Sequence, residues 1–418
     1  MSHPVPGQAP AIRALSIAAV SLLAGVVAAS GPTAVTPMSI QERIATRSFP
    51  STFQAWAPAQ NLNNGPGAKV PLPSMESQEQ TMARHDLIFT GWRAFGLQTT
   101  ASHEGLAKNF TPASITRALA RRNRLLSLNP HMILLAEVRY YDARDGYLPS
   151  DSPWWKRDRS GNRISNTQGA ASSGIAYSYS YLDYSNPQLQ RQVADQCQSL
   201  VKTGVFDGCM LDWWGREDAD RINLIQLVRA AAGGQAILIV NTNGNIPERS
   251  APYINGMFME GYGAPWFGTW QKTVSNLTWA QTHLQAPVIT ALEGWYKNSR
   301  DDYPIMRQIT TMSLVFSNGY VLFGDPNPLP TADHLHDFYP FWNKRLGRPA
   351  GAMGQAGPSG SFIREYENGS AVFNPPSNRS VEISFPEPRL RASTGERASS
   401  FQIDPGDGDL FLNIGRSL

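Results

Sequence analysis

From residue 85 onward, short apolar runs alternate with stretches in which apolar residues recur at helical spacing. Eight runs read as strands: 85–92, 131–138, 177–183, 205–212, 236–242, 255–260, 286–292 and 319–323. Gly, Asp, Asn or aromatic clusters bound them, and the third is the most polar. Helix starts stand between them. Thr111-Pro112 opens one carrying Ile115, Leu119, Leu125 and Leu126, and Asn186-Pro187 opens another carrying Leu189, Val193, Cys197 and Leu200. A third, over 218–232, sets Ile222, Ile225 and Val228 on one face and stops at Gly233-Gly234. Stretches 302–316 and 331–346 predict the last two. Strand–helix alternation of this kind predicts parallel β/α units, and eight of them predict a closed (β/α)8 TIM barrel over 81–348. An open doubly wound sheet is the rival, but no GxGxxG or phosphate loop follows the first strand.

Beyond Pro349 the pattern changes. A Gly/Pro/Ala/Ser-rich linker at 349–360 precedes short β-like runs at 361–366, 370–374, 380–385 and 409–413, with Asn-Gly, Pro-Pro-Ser-Asn and Pro-Gly-Asp-Gly turns between them. These predict a small C-terminal antiparallel β domain over 361–418. Residues 31–80 are rich in Pro, Ser, Gln and Asn with little periodicity and read as an irregular lead-in. Residues 1–30 read as a signal peptide: Arg13 precedes an apolar run, Ala14 to Ala29, that ends in the small residues Val27-Ala28-Ala29. Secretion or a periplasmic location follows. The alternative is an uncleaved anchor, the only membrane contact the sequence suggests.

Composition narrows the function classes. Thirty-six basic against 33 acidic side chains leave a net charge of +3, which gives no support for nucleic-acid binding. Eleven Trp, 14 Tyr and 17 Phe are the unusual feature, because flat loop aromatics suit the C–H faces of sugar rings. Cys197 and Cys209 fall on a helix and the strand after it, and two inert buried thiols are favoured over a bridge. Neither a metal-ligand spacing nor a cofactor motif is present; His334-Leu335-His336-Asp337 opens a predicted helix and reads as structural. The composition gives no reading of oligomeric state.

A TIM barrel places its active site at the carboxyl ends of the strands. The polar residues there are Glu137, Arg139, Asp183, Asp212, Asn241, Asn243, Glu260, Glu293 and Asp325, among the aromatics Trp92, Trp213, Trp214, Tyr262, Trp266, Trp295 and Tyr296. Converging carboxylates among aromatics are what glycoside hydrolysis needs: one carboxyl protonates the leaving oxygen, the other acts as nucleophile or activates water. In Phe206-Asp207-Gly208-Cys209-Met210-Leu211-Asp212-Trp213 an apolar strand ends in an acid, and a charge buried for nothing would be costly. Asp212 is therefore the expected nucleophile or base. Asp207, at the other end of that strand, reads as a structural partner. Gly256-Met257-Phe258-Met259-Glu260-Gly261 has the same build two strands on, which makes Glu260 the expected acid/base. Trp92, Glu137, Arg139, Trp213, Asn241, Tyr262, Trp266, Glu293 and Trp295 are expected to bind substrate, with Glu137 alternatively paired to an arginine.

The Asn186-Pro187 helix start, the Phe206-to-Trp213 motif and the glutamate ending the sixth strand resemble glycoside hydrolase-like families, hypothetical glycosyl hydrolase family 15 most of all. More distantly the layout is similar to the alpha-galactosidase-type clan, whose nucleophile and acid/base end strands four and six and whose barrels often carry a C-terminal β domain. The resemblance covers roughly residues 80–415 and implies a nucleophile at Asp212 and an acid/base at Glu260. It departs at two points: the clan has Lys where this chain has Met210, and Asp where it has Glu260. The expectation is a glycosidase acting on an extracellular or cell-wall polysaccharide. A non-catalytic carbohydrate-binding barrel and a transglycosylase are the alternatives.

Overall fold

The computed structural model describes residues 38–59, 76–167, 178–297, 299–325, 334 and 338–415. The expected signal peptide, 1–30, lies outside them, as do residues 331–333 and 335–337 of the helix expected at 331–346; the described part of that stretch holds a single 3-10 turn, Pro340–Asn343, not an α-helix. No described helix is long and apolar enough to cross a membrane.

Eight parallel strands form one sheet: β1 Phe53–Ala55, β2 Leu87–Gly91, β3 Ile133–Glu137, β4 Gly208–Leu211, β5 Ile237–Asn241, β6 Gly256–Tyr262, β7 Ile289–Trp295 and β8 Tyr320–Gly324. A parallel bridge between Thr52 and Val321, with the Val321 N–H donating to Ser51 O at 3.0 Å, closes β8 onto β1. The fold class is thus the expected TIM barrel, but two strand assignments change. The first strand comes from the stretch read as an irregular lead-in. The run at 177–183 is not a barrel strand: Tyr179–Tyr181 pairs antiparallel with Asp142–Arg144 in a separate two-stranded ribbon on the excursion after β3. Its alternating Tyr and Ser suit a half-buried ribbon, whereas barrel strands are apolar on both faces. The two errors offset each other, so Asp212 still follows the fourth strand and Glu260 still lies in the sixth.

Period-two alternation sorts the strand side chains into two layers. Phe53, Leu87, Phe89, Ile133, Leu135, Met210, Ile237, Ile239, Phe258, Ile289, Ala291 and Leu322 fill the barrel interior. Residues of opposite parity, such as Ile88, Leu134, Cys209, Leu238 and Met257, pack outward against the helices. Those helices include α1 Pro112–Leu128, α2 Pro187–Lys202, α3 Ala219–Ala232, α4 Trp270–His283 and α5 Tyr303–Phe316. Asn186 caps α2 by accepting from the Gln188 and Leu189 N–H groups, with Pro187 in the first turn. Gly208 lets β4 lie tight against β5, since a Cβ there would sit 1.8 Å from Ile237 O.

At the amino-terminal end of β4, buried Asp207 accepts from Arg43 Nη2 at 2.5 Å, Arg122 Nη2 at 2.7 Å and Leu134 N–H at 2.9 Å. Cys197 of α2 and Cys209 of β4 form a disulfide, correcting the expectation of free thiols. The helix packs its Cys197 face directly onto the outward face of β4, where Cys209 points.

The C-terminal strands form the expected antiparallel sheet, ordered Gln355–Ala356, Phe362–Tyr366, Gly369–Asn374, Asp407–Asn413, Val381–Arg391, Arg397–Ile403. One face packs on α5 through Phe316 against Phe362 and Phe373, and the Arg307–Asp407 ion pair at 2.6 Å joins them.

Candidate active site

The alternation that fills the barrel also builds the site. Continuing the inward-facing series by one step past Leu135, Met210, Ile239, Phe258 and Ala291 gives Glu137, Asp212, Asn241, Glu260 and Glu293. Five consecutive strands therefore end their apolar columns in polar side chains at one mouth.

Asn241 ties the two central carboxylates together. Its Nδ2 donates to Asp212 Oδ1 at 2.8 Å and to Glu260 Oε2 at 2.5 Å. Those two bonds hold the oxygens within about 5.3 Å of each other. The Asn243 N–H donates to Asn241 Oδ1, which fixes the amide's orientation, and the Trp213 N–H donates to Asp212 Oδ1 at 2.8 Å. Asp212 Oδ2 accepts no hydrogen bond among the described residues. Burial pushes the Asp212 carboxyl up to about 6 against these two donors. Burial also dominates at Glu260; His334 opposes it, Asp212 and Glu293 add to it, and the carboxyl is pushed up to about 8. Glu260 nevertheless keeps 16% of its side chain exposed, so it is open to the cleft.

Glu293 is fully buried, and its Oε1 pairs with His334 Nδ1 at 2.7 Å. His334 Nε2 lies 3.6 Å from Glu260 Oε1, and the ring packs 4.5 Å from Trp56, tilted by 36°. Glu260, Glu293 and His334 each offer a ligand atom within 4.8 Å of the others, the one such grouping among the described residues and the place where a divalent cation would fit. Sequence reasoning missed both aromatics of this corner. Trp56 follows the strand hidden in the lead-in, and His334 itself is not helical, with φ of 57°. Left-handed backbone marks this corner in the structure, though not in the sequence. Five described non-glycine residues have positive φ, and four of them, Trp56, Trp213, Asn243 and His334, lie around the carboxylates. Such strain persists where surrounding structure over-determines it, and it clusters at functional sites.

Other expected residues divide. Glu137 is buried against Arg139 at 3.2 Å, and Arg139 also reaches Asp142 at 3.3 Å; burial raises the Glu137 carboxyl, with Arg139 opposing. Trp213 stacks on Tyr141 at 5.4 Å and lines a cavity of about 810 Å³ that opens beside Asp212. Neither carboxylate lines that cavity; Trp213 and Asn243, one and two residues from Asp212 and Asn241, join it to them. Trp295 packs edge-on against Trp266, which is 54% exposed beyond Glu260. Gly261, at φ of 87°, makes room there, because a Cβ would meet Trp266 at 2.7 Å.

Two expectations fail on placement. Trp92 is 2% exposed and packs on Phe110 in the outer layer, since it shares the outward parity of Ile88 and Thr90. Tyr262 is turned toward Phe267 and Tyr296 by the register shift after Met259, away from the carboxylates. Asp183 accepts from Ser185 and Asp325 from Ser299, both as turn residues. Trp155 is buried within the excursion after β3, its Nε1 donating to Pro149 O.

No family model matches the chain, and no curated protein matches its sequence. Among solved structures it is similar to a noncanonical maltogenic alpha-amylase from Thermotoga neapolitana (12% identity, 89% of this chain and 99% of that one, TM-score 0.49). It is also similar to an alpha-amylase from Malbranchea cinnamomea (12%, 90% and 97%, TM-score 0.49) and to the cyclic alpha-maltosyl-(1→6)-maltose hydrolase of Arthrobacter globiformis (11%, 89% and 99%, TM-score 0.48). At that level of likeness the chemistry has to be read from the chain's own residues.

Proposed function

We propose that the chain is a glycoside hydrolase of an extracellular or cell-wall polysaccharide, with Asp212 as nucleophile and Glu260 as acid/base. The observation that carries this reading is the Asn241-bridged pair of rim carboxylates. Their environments push the two apart, Asp212 to about 6 and Glu260 to about 8, so near neutral pH one is ionised while the other holds a proton. Carboxyl separations of ~5–5.5 Å belong to retaining glycosidases and ~6.5–9.5 Å to inverting ones, and the Asn241 bridge favours the shorter class.

In the retaining reaction Asp212 Oδ2 attacks the anomeric carbon while Glu260 gives its proton to the glycosidic oxygen. The carbon–oxygen bond breaks and the leaving sugar departs as an alcohol. Glu260, now a carboxylate, takes a proton from water, whose oxygen displaces Asp212 from the anomeric carbon. Asn241 serves both steps by donating to whichever carboxylate is charged. Trp213, Trp266 and Trp295 offer aromatic faces on either side.

Release of reducing ends from a panel of polysaccharides tests this reading. The wild-type chain is expected to release them from at least one polymer, with Asp212→Asn and Glu260→Gln each lower on the order of 10³-fold or more. Binding without release by the wild type, or undiminished release by either variant, contradicts it.

A further inference from the structure

The cavity beside Asp212 carries a charge pattern that hydrolysis of a neutral sugar does not explain. We propose that it is a subsite for a sugar unit bearing an anionic substituent, a carboxylate or a sulfate, next to the bond that is cut. This deepens the hydrolase reading and rests on it for the position of the cut bond.

Its walls are those of a sugar site. Trp213, Tyr141 and Tyr181 are half-buried, and their rings pack at 5.3–5.4 Å along one side. Trp213 is fixed against the nucleophile: its N–H donates to Asp212, and its carbonyl accepts from Tyr140 Oη at 2.9 Å and Arg221 Nη2 at 3.3 Å. Asn243 Oδ1 is enclosed at the cavity's edge with no hydrogen-bond partner among the described residues. A hydroxyl donor from a ligand would satisfy it.

Three cations, Lys156, Arg216 and Arg221, line the cavity against two anions, Glu217 and Asp218. Both anions are engaged by the protein. Glu217 accepts from the Arg249 and Ser250 N–H groups, each at 2.8 Å. Asp218 caps α3 at the Arg221 N–H, accepts from Tyr184 Oη at 2.9 Å and pairs with Arg221 Nη1 at 2.5 Å. Lys156 and Arg216 are exposed and have neither an ion pair nor a side-chain hydrogen bond among the described residues. The unanswered charge in a cavity built for a sugar is therefore positive, and an arginine fork with a nearby ammonium suits a carboxylate or sulfate.

The test is binding by titration calorimetry at low salt to the full chain, using polygalacturonate fragments against the same fragments with carboxyls reduced to alcohols, and dextran sulfate against dextran. The wild type is expected to prefer one anionic probe by about tenfold or more over its neutral counterpart, the scale of a lost charge-assisted hydrogen bond. The probe that shows the preference tells carboxylate from sulfate. In Lys156→Ala/Arg216→Ala that ratio should fall to about one, with circular dichroism confirming the fold. Equal binding of anionic and neutral probes, failure to bind either anionic probe, or a preference that survives the double substitution overturns the proposal. Anion-selective binding without hydrolysis would sink the hydrolase reading alone, while hydrolysis through Asp212 and Glu260 with no anion preference would sink only the subsite.

Discussion

Replacing Asn241 by alanine removes the amide that both carboxylates share, and the consequence can be worked out in sign and size. Donation from Asn241 holds each carboxyl below where burial alone would push it. A hydrogen bond to an ionised acceptor is worth ~1.5–3 kcal/mol, and one pKa unit is ~1.36 kcal/mol, so Asp212 should rise by about one to two units. The catalytic form needs Asp212 ionised and Glu260 protonated, so kcat/KM of the wild type should trace a bell with limbs near about 6 and about 8. In Asn241→Ala the acid limb should move to about pH 7–8 and the alkaline limb upward as well, shifting the optimum to higher pH. At pH 7 the ionised fraction of Asp212 would drop from about nine-tenths to between about one half and one tenth, a two- to tenfold loss from ionisation alone. Measuring kcat/KM across the pH range, with thermal melting as the check on the fold, reads this directly. An acid limb that stays near 6 or moves down refutes the bridging role of Asn241.

Asp207→Ala should destabilise the chain by ~3–5 kcal/mol in urea unfolding, because it strands the Arg43 and Arg122 guanidiniums in a buried site. The two arginines hold the Asp207 carboxyl below its ordinary range, so its contribution is complete above an unfolded value of ~3.9 and is lost only as pH falls through the lower folded one. An unfolding midpoint equal to wild type would count against that pairing. Reduction of Cys197–Cys209, which closes a short loop, should lower stability by ~2–4 kcal/mol, and an unchanged melting temperature in reductant would contradict it. His334→Gln should move the alkaline limb of kcat/KM above about 8, since the imidazole lowers the Glu260 carboxyl. Prolonged chelation should leave wild-type activity intact; a loss restored by one divalent cation would instead make Glu260, Glu293 and His334 ligands.

Strand columns were the legible part of this sequence. An apolar run closing in an acid marks Asp212 and Glu260 directly, and parity within the run says which residues look inward. Applied strictly, that parity also joins Glu137, Asn241 and Glu293 to the pair and sends Trp92 outward to the helices. Tyr262 escapes the rule because an extra residue after Met259 rotates it, and the flanking glycine was the only mark of that bulge. Phe53–Ala55 could not be recognised from periodicity, since three residues are too few to alternate visibly and polar Ser51-Thr52 precede them. Tyr179–Tyr181 imitated a barrel strand in length and position but not in apolarity. His334 illustrates the remaining gap: its neighbours suggested a helix, whereas its role depends on Glu293 and Trp56, far away in the chain, and no local spacing reports such contacts.

Azide rescue of the two carboxylate variants, on an aryl glycoside of whichever sugar the polysaccharide screen identifies, tests the division of labour most directly. If Asp212 is the nucleophile and Glu260 the acid/base of a retaining enzyme, azide takes the place of Asp212 in Asp212→Ala and yields a glycosyl azide of inverted configuration. In Glu260→Ala azide instead attacks the intermediate on Asp212 and yields the azide of retained configuration. Hydrolysis by Asp212→Ala at the wild-type rate without azide, or the same azide anomer from both variants, would contradict the assignment.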